Sequence, residues 1–590
     1  MKNISGLIIS IVFFAFLSYY AILLYNAFRF TVFDLGLSYR LEYLFITTHS
    51  LVNWPIPHAL VSASPYTTLI YVPLSLTLLI YNSPVTVLVT QVGLIAIGGY
   101  AIFRIFKNIT NNYLFGIIMQ LVYFMYIPTY GFLTHGGNFE VYFEPLFLIS
   151  YMYYIEKKFT LSFISIAFAA ITNRWAPILL ILFYSLQIVL DKHILGKLFF
   201  KKNRKSSILT YISKSISRGS KEKYFFIAVF LFSISIFIME VMIYTLPALI
   251  SGSRINLSSE YSTSMPSNSL ISIFGNMIDL KMSFLTQTFF PFLAIPLCTP
   301  YAILIVPYFI LSWYSNHPSY YYLLQQYPYL FVGFLFVSIA YYFKILKSKK
   351  LIKKLVTLIF IFTLIEFTLF SPFNLQGLEN GSFSSSIYVN NIEKELNYGF
   401  SLIPSNSTIF IQNNFPQLMY CEKVYMPGYY NNQTVDYAVI DPVSYNDISA
   451  AFSGYSGYWA NKFAHNRSYG IYESIQGIII YKLHYSGTPV YYVPTQYNIT
   501  YNLSYRYNES LPYHQYNVGG WFYLSPGVYN ISFDIKVNSY ADLPKSVYIV
   551  KNVYYNNTPT KYITYVSSSQ FKYYDGFFCI NSTYYSNGFY

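Results

Sequence analysis

The 590-residue chain is 55% apolar and only 10% charged, whereas an average soluble protein is about a quarter charged. That composition excludes an ordinary soluble globular protein. A formal charge of +14 would suit nucleic acid, but the basic residues stand in short strips beside apolar runs. This is the pattern that orients helices in a bilayer, so no nucleic acid is expected and membrane lipid is the expected partner.

Apolar runs long enough to span a bilayer, mostly about 15 to 24 residues each, fall near 5–26, 85–104, 112–128, 140–156, 159–173, 175–191, 224–247, 283–299, 300–314, 327–344 and 355–371. The first has no small-x-small cleavage site before Phe28 and reads as a retained anchor. Directly after it comes TVFDLGLSYRLEY, 31–43, which sets Asp34 where the chain leaves its first apolar segment. The stretch 67–81 is apolar but short and holds Pro73, so it reads as a helix lying at the membrane surface.

The basic strips are Arg104/Lys107, Lys157/Lys158, Lys192 to Lys223 and Lys344 to Lys354. If all face the cytoplasm together with Lys2, parity selects eleven spans, with 67–81 left on the outer surface. The expected topology is therefore a multi-pass plasma-membrane protein, its N-terminus cytoplasmic and its C-terminal domains extracellular. Asp34 then lies on the external side. The N-x-S/T sites crowd the end of the chain, at Asn380, Asn406, Asn432, Asn466, Asn498, Asn502, Asn508, Asn530, Asn556 and Asn581, with Asn256 in an earlier external loop. These are glycosylation candidates, because such sites are used only outside the membrane.

After 371 the chain becomes soluble in character. TIFIQ (408–412), DYAVID (436–441) and GIIIYKL (477–483) are short apolar runs that suit strands buried on both faces, and 372–485 reads as a small external α/β domain. From 486 to 590 the pattern becomes alternating, as in SPGVYNISFDIKV, which predicts an external β-sandwich. Cys421 and Cys579 both fall in this outer part; a disulfide between them is left open.

No phosphate-loop, zinc-protease, C-x-x-C or G-x-S-x-G motif is present. The polar residues on the external side are Asp34, Arg40, Glu42, His49, His58, His135, Glu140, Glu144, Asn173, Arg174 and His317. Ionisable groups at a membrane are costly and default to function, but each has a plainer reading. Asp34 could cap a helix starting at Leu35. Glu140 and Glu144 stand one turn apart on a helix face and could line a cavity or sit among headgroups. Arg174 could hold a lipid phosphate. The Tyr cluster in NHPSYYYLLQQYPYLF, 316–331, reads as an interfacial belt.

The order of these features resembles a known family. FDLG follows the first span at 33–36, SPYTTLIYVPL stands at 64–74, NFEVYFEP at 138–145, then NHPSYYYLLQQYPYLF, and IPSNSTIFIQNNFPQLMYCEKVYMPG with VDYAVID after the last span. Over about 30–440 the chain resembles a family of predicted polytopic membrane proteins of unknown function, marked by F-D-x-G and similar to the GT-C glycosyltransferases. The resemblance implies a GT-C-like membrane domain over 1–371 of about eleven transmembrane helices. It also implies a sugar taken from a polyprenyl-phosphate donor on the outer face and passed to a glycan or surface-protein acceptor. Asp34 matches the position of the catalytic base, and Glu140 or Glu144 the second acid. Arg40, His58, Arg174 and His317 are the substrate-binding candidates, with Arg174 toward the donor phosphate. The family's F-H-P-E is F-E-V-Y here, its K-E-D-like cluster is T-N-R at 172–174, and its later external His is Gln326. The alternative is therefore a non-catalytic surface glycoprotein on the same scaffold, binding glycans or envelope proteins through its tail. No cofactor is assigned with certainty; a divalent cation stays open, though the first loop has no D-x-D. A transporter would need paired charges inside the spans and a matching second half, and the sequence offers neither.

Overall fold

In a computed structural model of the chain, the described residues are 4–49, 69–173, 175–190, 221–240, 277–314, 318–324, 327–346, 348–373, 391–427, 433–441, 466–475 and 478–493, with Met242, Tyr430, Trp459, Lys462 and Phe463, and the backbone of five strands between 527 and 586. The chain divides into two compact units, 1–389 and 390–590.

The first unit is helical. Its helices are α1 (Ile4–Asn26), α2 (Leu37–Thr48), α3 (Tyr71–Ser75), α4 (Pro84–Thr110), α5 (Tyr113–Met125), α6 (Phe132–His135), α7 (Phe143–Ile155), α8 (Phe159–Ala170), α9 (Ala176–Leu190), α10 (Lys221–Glu240), α11 (Ile278–Phe289), α12 (Ala302–Tyr314), α13 (Tyr329–Ile345) and α14 (Lys349–Phe370). Local sequence fixes several ends. Ser83 caps α4 by accepting the Val85 N–H, with Pro84 at the first helical position. Asn112 caps α5 by accepting from Leu114 and Phe115. On α1, Leu17, Ala21 and Leu24 face the interior, while Ile4, Leu7, Ile8, Ile11 and Val12 are about half exposed or more. An apolar outer surface of this kind belongs against lipid.

The interior is built from rings and glycines. Phe147 of α7 meets Phe143, Phe183 and Phe334. A Cβ on Gly98 would stand 3.0 Å from Pro145, and one on Gly99 2.2 Å from Phe124, so α4 packs tightly on α5 and α7 because it carries no side chain there. At the far end of α4, Arg104 pairs with Glu156 at 2.6 Å, and Lys158 pairs with the same carboxylate at 2.8 Å. The first two basic strips therefore meet at one end of the unit.

Among the described residues two helices, α1 and α4, are long and apolar enough to cross a membrane, or three if α5 and the segment 127–134, bent by 57°, count as one span. The expected eleven spans are thus not all continuous helices of spanning length. The apolar run 283–299 shows why. It breaks into α11 and two 3-10 turns at 290–292 and 295–298, with Leu293 and Ala294 in the left-handed region between Pro291 and Pro296. The stretch 67–81 holds only α3 and a 3-10 turn at 76–79, and Ile70 donates its N–H to the Ile171 carbonyl.

The second unit begins with α15 (Asn391–Ser401). Strands β1 (Thr408–Ile411), β2 (Lys423–Tyr425), β3 (Tyr437–Ile440), β4 (Tyr469–Ile475), β5 (Ile478–Leu483) and β6 (Tyr491–Val493) form a six-stranded sheet in the order β2-β1-β3-β5-β4-β6. β1 is parallel to β2 and β3, and β5 is antiparallel to β3 and β4. The sheet reaches Val493, past the boundary drawn at 485. Phe410, Ile440, Trp459, Phe463 and Tyr481 belong to one core cluster. Further on, β7 (Gly527–Lys536), β8 (Ser546–Tyr555), β9 (Thr558–Ser567), β10 (Lys572–Tyr574) and β11 (Phe577–Ser586) form a three-stranded sheet β10-β11-β7 and a hairpin β8-β9.

Candidate functional site

Asp34 lies in a π-helical turn, Val32–Gly36, between α1 and α2. It does not cap α2: the cap position is Gly36, with no side-chain hydrogen bond. Its carboxylate is engaged elsewhere. Thr31 donates its hydroxyl to Oδ2 at 2.8 Å, and Asn138 donates its amide to Oδ1 at 3.4 Å. The side chain is 8% exposed.

Asn138 is itself held. Gly136 and Gly137 both have positive φ, and a Cβ on Gly137 would lie 2.6 Å from the Leu35 Cα and 2.9 Å from the Asp34 carbonyl. Only glycine lets this loop cross the Asp34 turn so closely. Gln91, fully buried in α4, clamps the loop from below. Its Oε1 accepts the Gly137 N–H at 3.1 Å, and its Nε2 donates to the Asn138 carbonyl at 3.0 Å. The line of support runs from Gln91 through the loop to Asn138 and then to Asp34.

Around this line stand other polar groups. Arg40 is 3% exposed, its guanidinium 5.2 Å from the centre of the Tyr43 ring. Tyr39 donates to Asn82 at 3.0 Å. Glu42 is 1% exposed, and its carboxyl oxygens meet no donor among the described residues. Burial pushes that carboxyl well above the usual carboxylate range. The buried Tyr142 hydroxyl likewise meets no hydrogen-bond partner among the described residues.

Glu140 and Glu144 do not share one helix face. Glu140 is half-buried in a 3-10 turn, Phe139–Tyr142. Glu144 opens α7 and is fully enclosed. The Tyr123 hydroxyl is beside it, and a Cβ on Gly333 of α13 would come within 3.6 Å of its Cγ. A second enclosed carboxylate, Glu366 of α14, is 4% exposed. Glu366 is a buried acid inside the apolar run 355–371 that the external polar set does not include. Asn173 accepts the N–H groups of Trp175 and Ala176 and starts α9. His58, Arg174 and His317, the side chain of His135, and Asn256, Asn380, Asn432, Asn498, Asn502, Asn508 and Asn556 lie outside the described residues. Asn406 and Asn466 are exposed on turns. Asn530 and Asn581 fall in β7 and β11, and the side chain of Cys579, like theirs, is outside the described set. Among the described residues no group of three or more His, Cys, Asp or Glu comes together.

Gln91, Asn138 and the glycine pair were missed as site residues. Their signals were a lone amide in an apolar helix and the G-G-N of THGGNFE.

A helical unit with an apolar outer surface and a held carboxylate at one end defines an α-helical membrane protein. More particularly, the chain belongs to the DUF2079 family of predicted membrane proteins, whose profile matches residues 64–480. That match begins after Asp34. No curated protein matches the chain. Among solved structures, apo ArnT from Cupriavidus metallidurans is similar, with TM-score 0.45 and 9% identity over 81% of this chain and 98% of that one. This likeness is too loose to carry residue roles from one chain to the other.

Proposed function

We propose that the protein is a membrane-embedded glycosyltransferase in which Asp34 is the general base. The acceptor hydroxyl oxygen attacks the anomeric carbon of a sugar carried on polyprenyl phosphate. The bond from that carbon to the phosphate oxygen breaks, the polyprenyl phosphate departs, and the hydroxyl proton passes to the Asp34 carboxylate. The observation that carries this reading is the line Gln91–Asn138–Asp34, which fixes a carboxylate at the end of the first apolar helix. A base must be held in one orientation to meet its proton within hydrogen-bond reach. Arg174 is the cation proposed for the donor phosphate. Thirteen residues of α4 separate Gln91 from Arg104, about 20 Å along the axis. The acid site and the joined basic strips thus lie toward opposite ends of one long helix, which supports an external Asp34 under the positive-inside rule.

A surface scaffold without activity is the second reading, and the enclosure of Glu144 favours it, since that acid cannot reach a substrate from where it stands. The test is the surface-glycan composition of a deletion strain complemented by wild type or by Asp34→Asn at matched protein level. Restoration by wild type alone supports the transferase. Unchanged glycans on deletion, or equal rescue by both, overturn it.

A further inference from the structure

Two basic strips meet where α4 ends, through Arg104 and Glu156, and a third joins them. Phe106 of α4 and Phe343 of α13 stand edge to face at 5.9 Å, and Lys107 and Lys344 directly follow those two rings in the chain. The turn from α13 into α14 is therefore at this end as well. Phe367, near the other end of α14, meets Tyr130 beyond the end of α5 at 5.9 Å, so α14 runs away from the basic end. The strip 344–354 holds six lysines in eleven residues and no acid. Lys344, Lys349, Lys350, Lys353 and Lys354 are all exposed, and Lys347 lies outside the described residues. Glu156 answers Arg104 and Lys158, but none of these five lysines is in an ion pair among the described residues.

These charges work against the helix that carries them. Ser348 caps α14 by accepting the Leu351 N–H at 3.3 Å, and four lysines follow within the first two turns. Cations at a helix N-terminus oppose the macrodipole. Lys349 with Lys353, and Lys350 with Lys354, are like charges four residues apart. An anion laid over the strip offsets both effects. The same helix says which anion. Leu358, Ile361, Ile365 and Leu369 are exposed and form one row along α14, at spacings of three and four. Lys354 and Lys350 continue that row at a spacing of four. The row passes from apolar groups that belong against acyl chains to ammonium groups on stems long enough to reach the headgroups. Ile345 and Leu351, also exposed, stand among the lysines.

We propose that this end of the helical unit is a binding site for anionic phospholipid headgroups, centred on Lys350 and Lys354 of α14. A lysine strip of this density at a membrane surface attracts acidic lipid. A phospholipid offers its phosphate to the lysines and its chains to the apolar row beneath them. A soluble polyanion such as RNA meets only the charges and leaves Ile345 and Leu351 in water. The inference needs only a helical membrane unit and is independent of the transferase reading.

The test uses the full-length protein in nanodiscs of phosphatidylcholine, with or without phosphatidylglycerol. Native mass spectrometry reads the lipid retained, and a melting curve reads stability. Wild type is expected to retain phosphatidylglycerol in preference and to melt higher in its presence, more so at low salt than at high. The double variant Lys350→Gln/Lys354→Gln weakens that retention by about tenfold or more. In phosphatidylcholine alone it melts no lower than wild type, because a like-charge pair has gone. Lys394→Gln/Lys423→Gln, two exposed lysines of the second unit, is the charge-matched control and keeps the wild-type preference. If the first double variant fails to fold, hydrogen exchange of wild-type residues 349–356 decides: slowing by phosphatidylglycerol supports the proposal, and its absence overturns it. Equal retention of the two lipids, undiminished preference in the folded variant, the same loss in the control, or the same stabilisation from glycerol phosphate or RNA in phosphatidylcholine discs each overturns it too.

Discussion

Asn138 donates its amide to the Asp34 carboxylate across 104 residues of chain. Two stretches that look unrelated in sequence thus form one functional corner. If Asp34 is the base, Asp34→Asn lowers transfer by about a hundredfold or more. The helices stay intact, because Asn keeps an oxygen for Thr31. Transfer to a defined acceptor in membrane vesicles, together with a melting curve, checks both parts.

Gln91→Leu leaves the Gly137 N–H and the Asn138 carbonyl without their partner. Each such buried group costs about 1–3 kcal/mol. The variant is expected to melt earlier and to lose turnover more than donor affinity, since the clamp aims Asp34. Gly137→Ala acts on the same loop through its clash with Leu35. Initial rates over a donor range separate turnover from affinity.

Glu144→Gln keeps transfer close to wild type, because the carboxyl is enclosed by Tyr123 and α13 rather than open to substrate. A loss as large as that of Asp34→Asn would show that Glu144 takes part in the chemistry.

Glu473 in β4 is fully buried, and its carboxyl oxygens meet no donor among the described residues. Burial raises its pKa from 4.5 to about 8. The folded state therefore holds the proton more tightly than the unfolded one. Stability falls as pH rises between those two values, by at most about 1.4 kcal/mol per pH unit. Glu473→Gln removes that slope. Hydrogen exchange of β4 and β5 in the intact chain at stepped pH reads it out.

Asn466 accepts the Ser468 N–H at 3.0 Å on an exposed turn. If the second unit faces outward in a host that glycosylates, Asn466 and Asn406 carry glycans. Ser468→Ala then removes the Asn466 glycopeptide from the mass spectrum and leaves that of Asn406.

The helical segments were legible because apolar length and capping residues are local signals: Ser83-Pro84 opens α4 and Asn112 opens α5. Strands β1, β3 and β5 were equally visible as short apolar runs. The break at Leu293–Ala294 was signalled by its flanking prolines, but apolar content alone reads through it. Asp34 was singled out by position and motif, whereas its partners were not. Gln91 and Gly137 meet 46 residues apart, and no spacing rule reports a contact at that range. The enclosure of Glu144 depends on Gly333 of α13, another long-range event.

α4 and α7 are fastened at both ends, by Arg104 and Glu156 at one and through Gln91 and the 136–138 loop at the other, with Gly98 against Pro145 between. Two helices pinned in this way move as a single beam. Neither can slide along the other without breaking an ion pair or an amide clamp. α1 is tied to α5 through Gln120, which donates to the Gly6 carbonyl and to the Ser10 hydroxyl, so any opening of the corner at Asp34 falls to the turn after Phe28, with its left-handed backbone, and to α2.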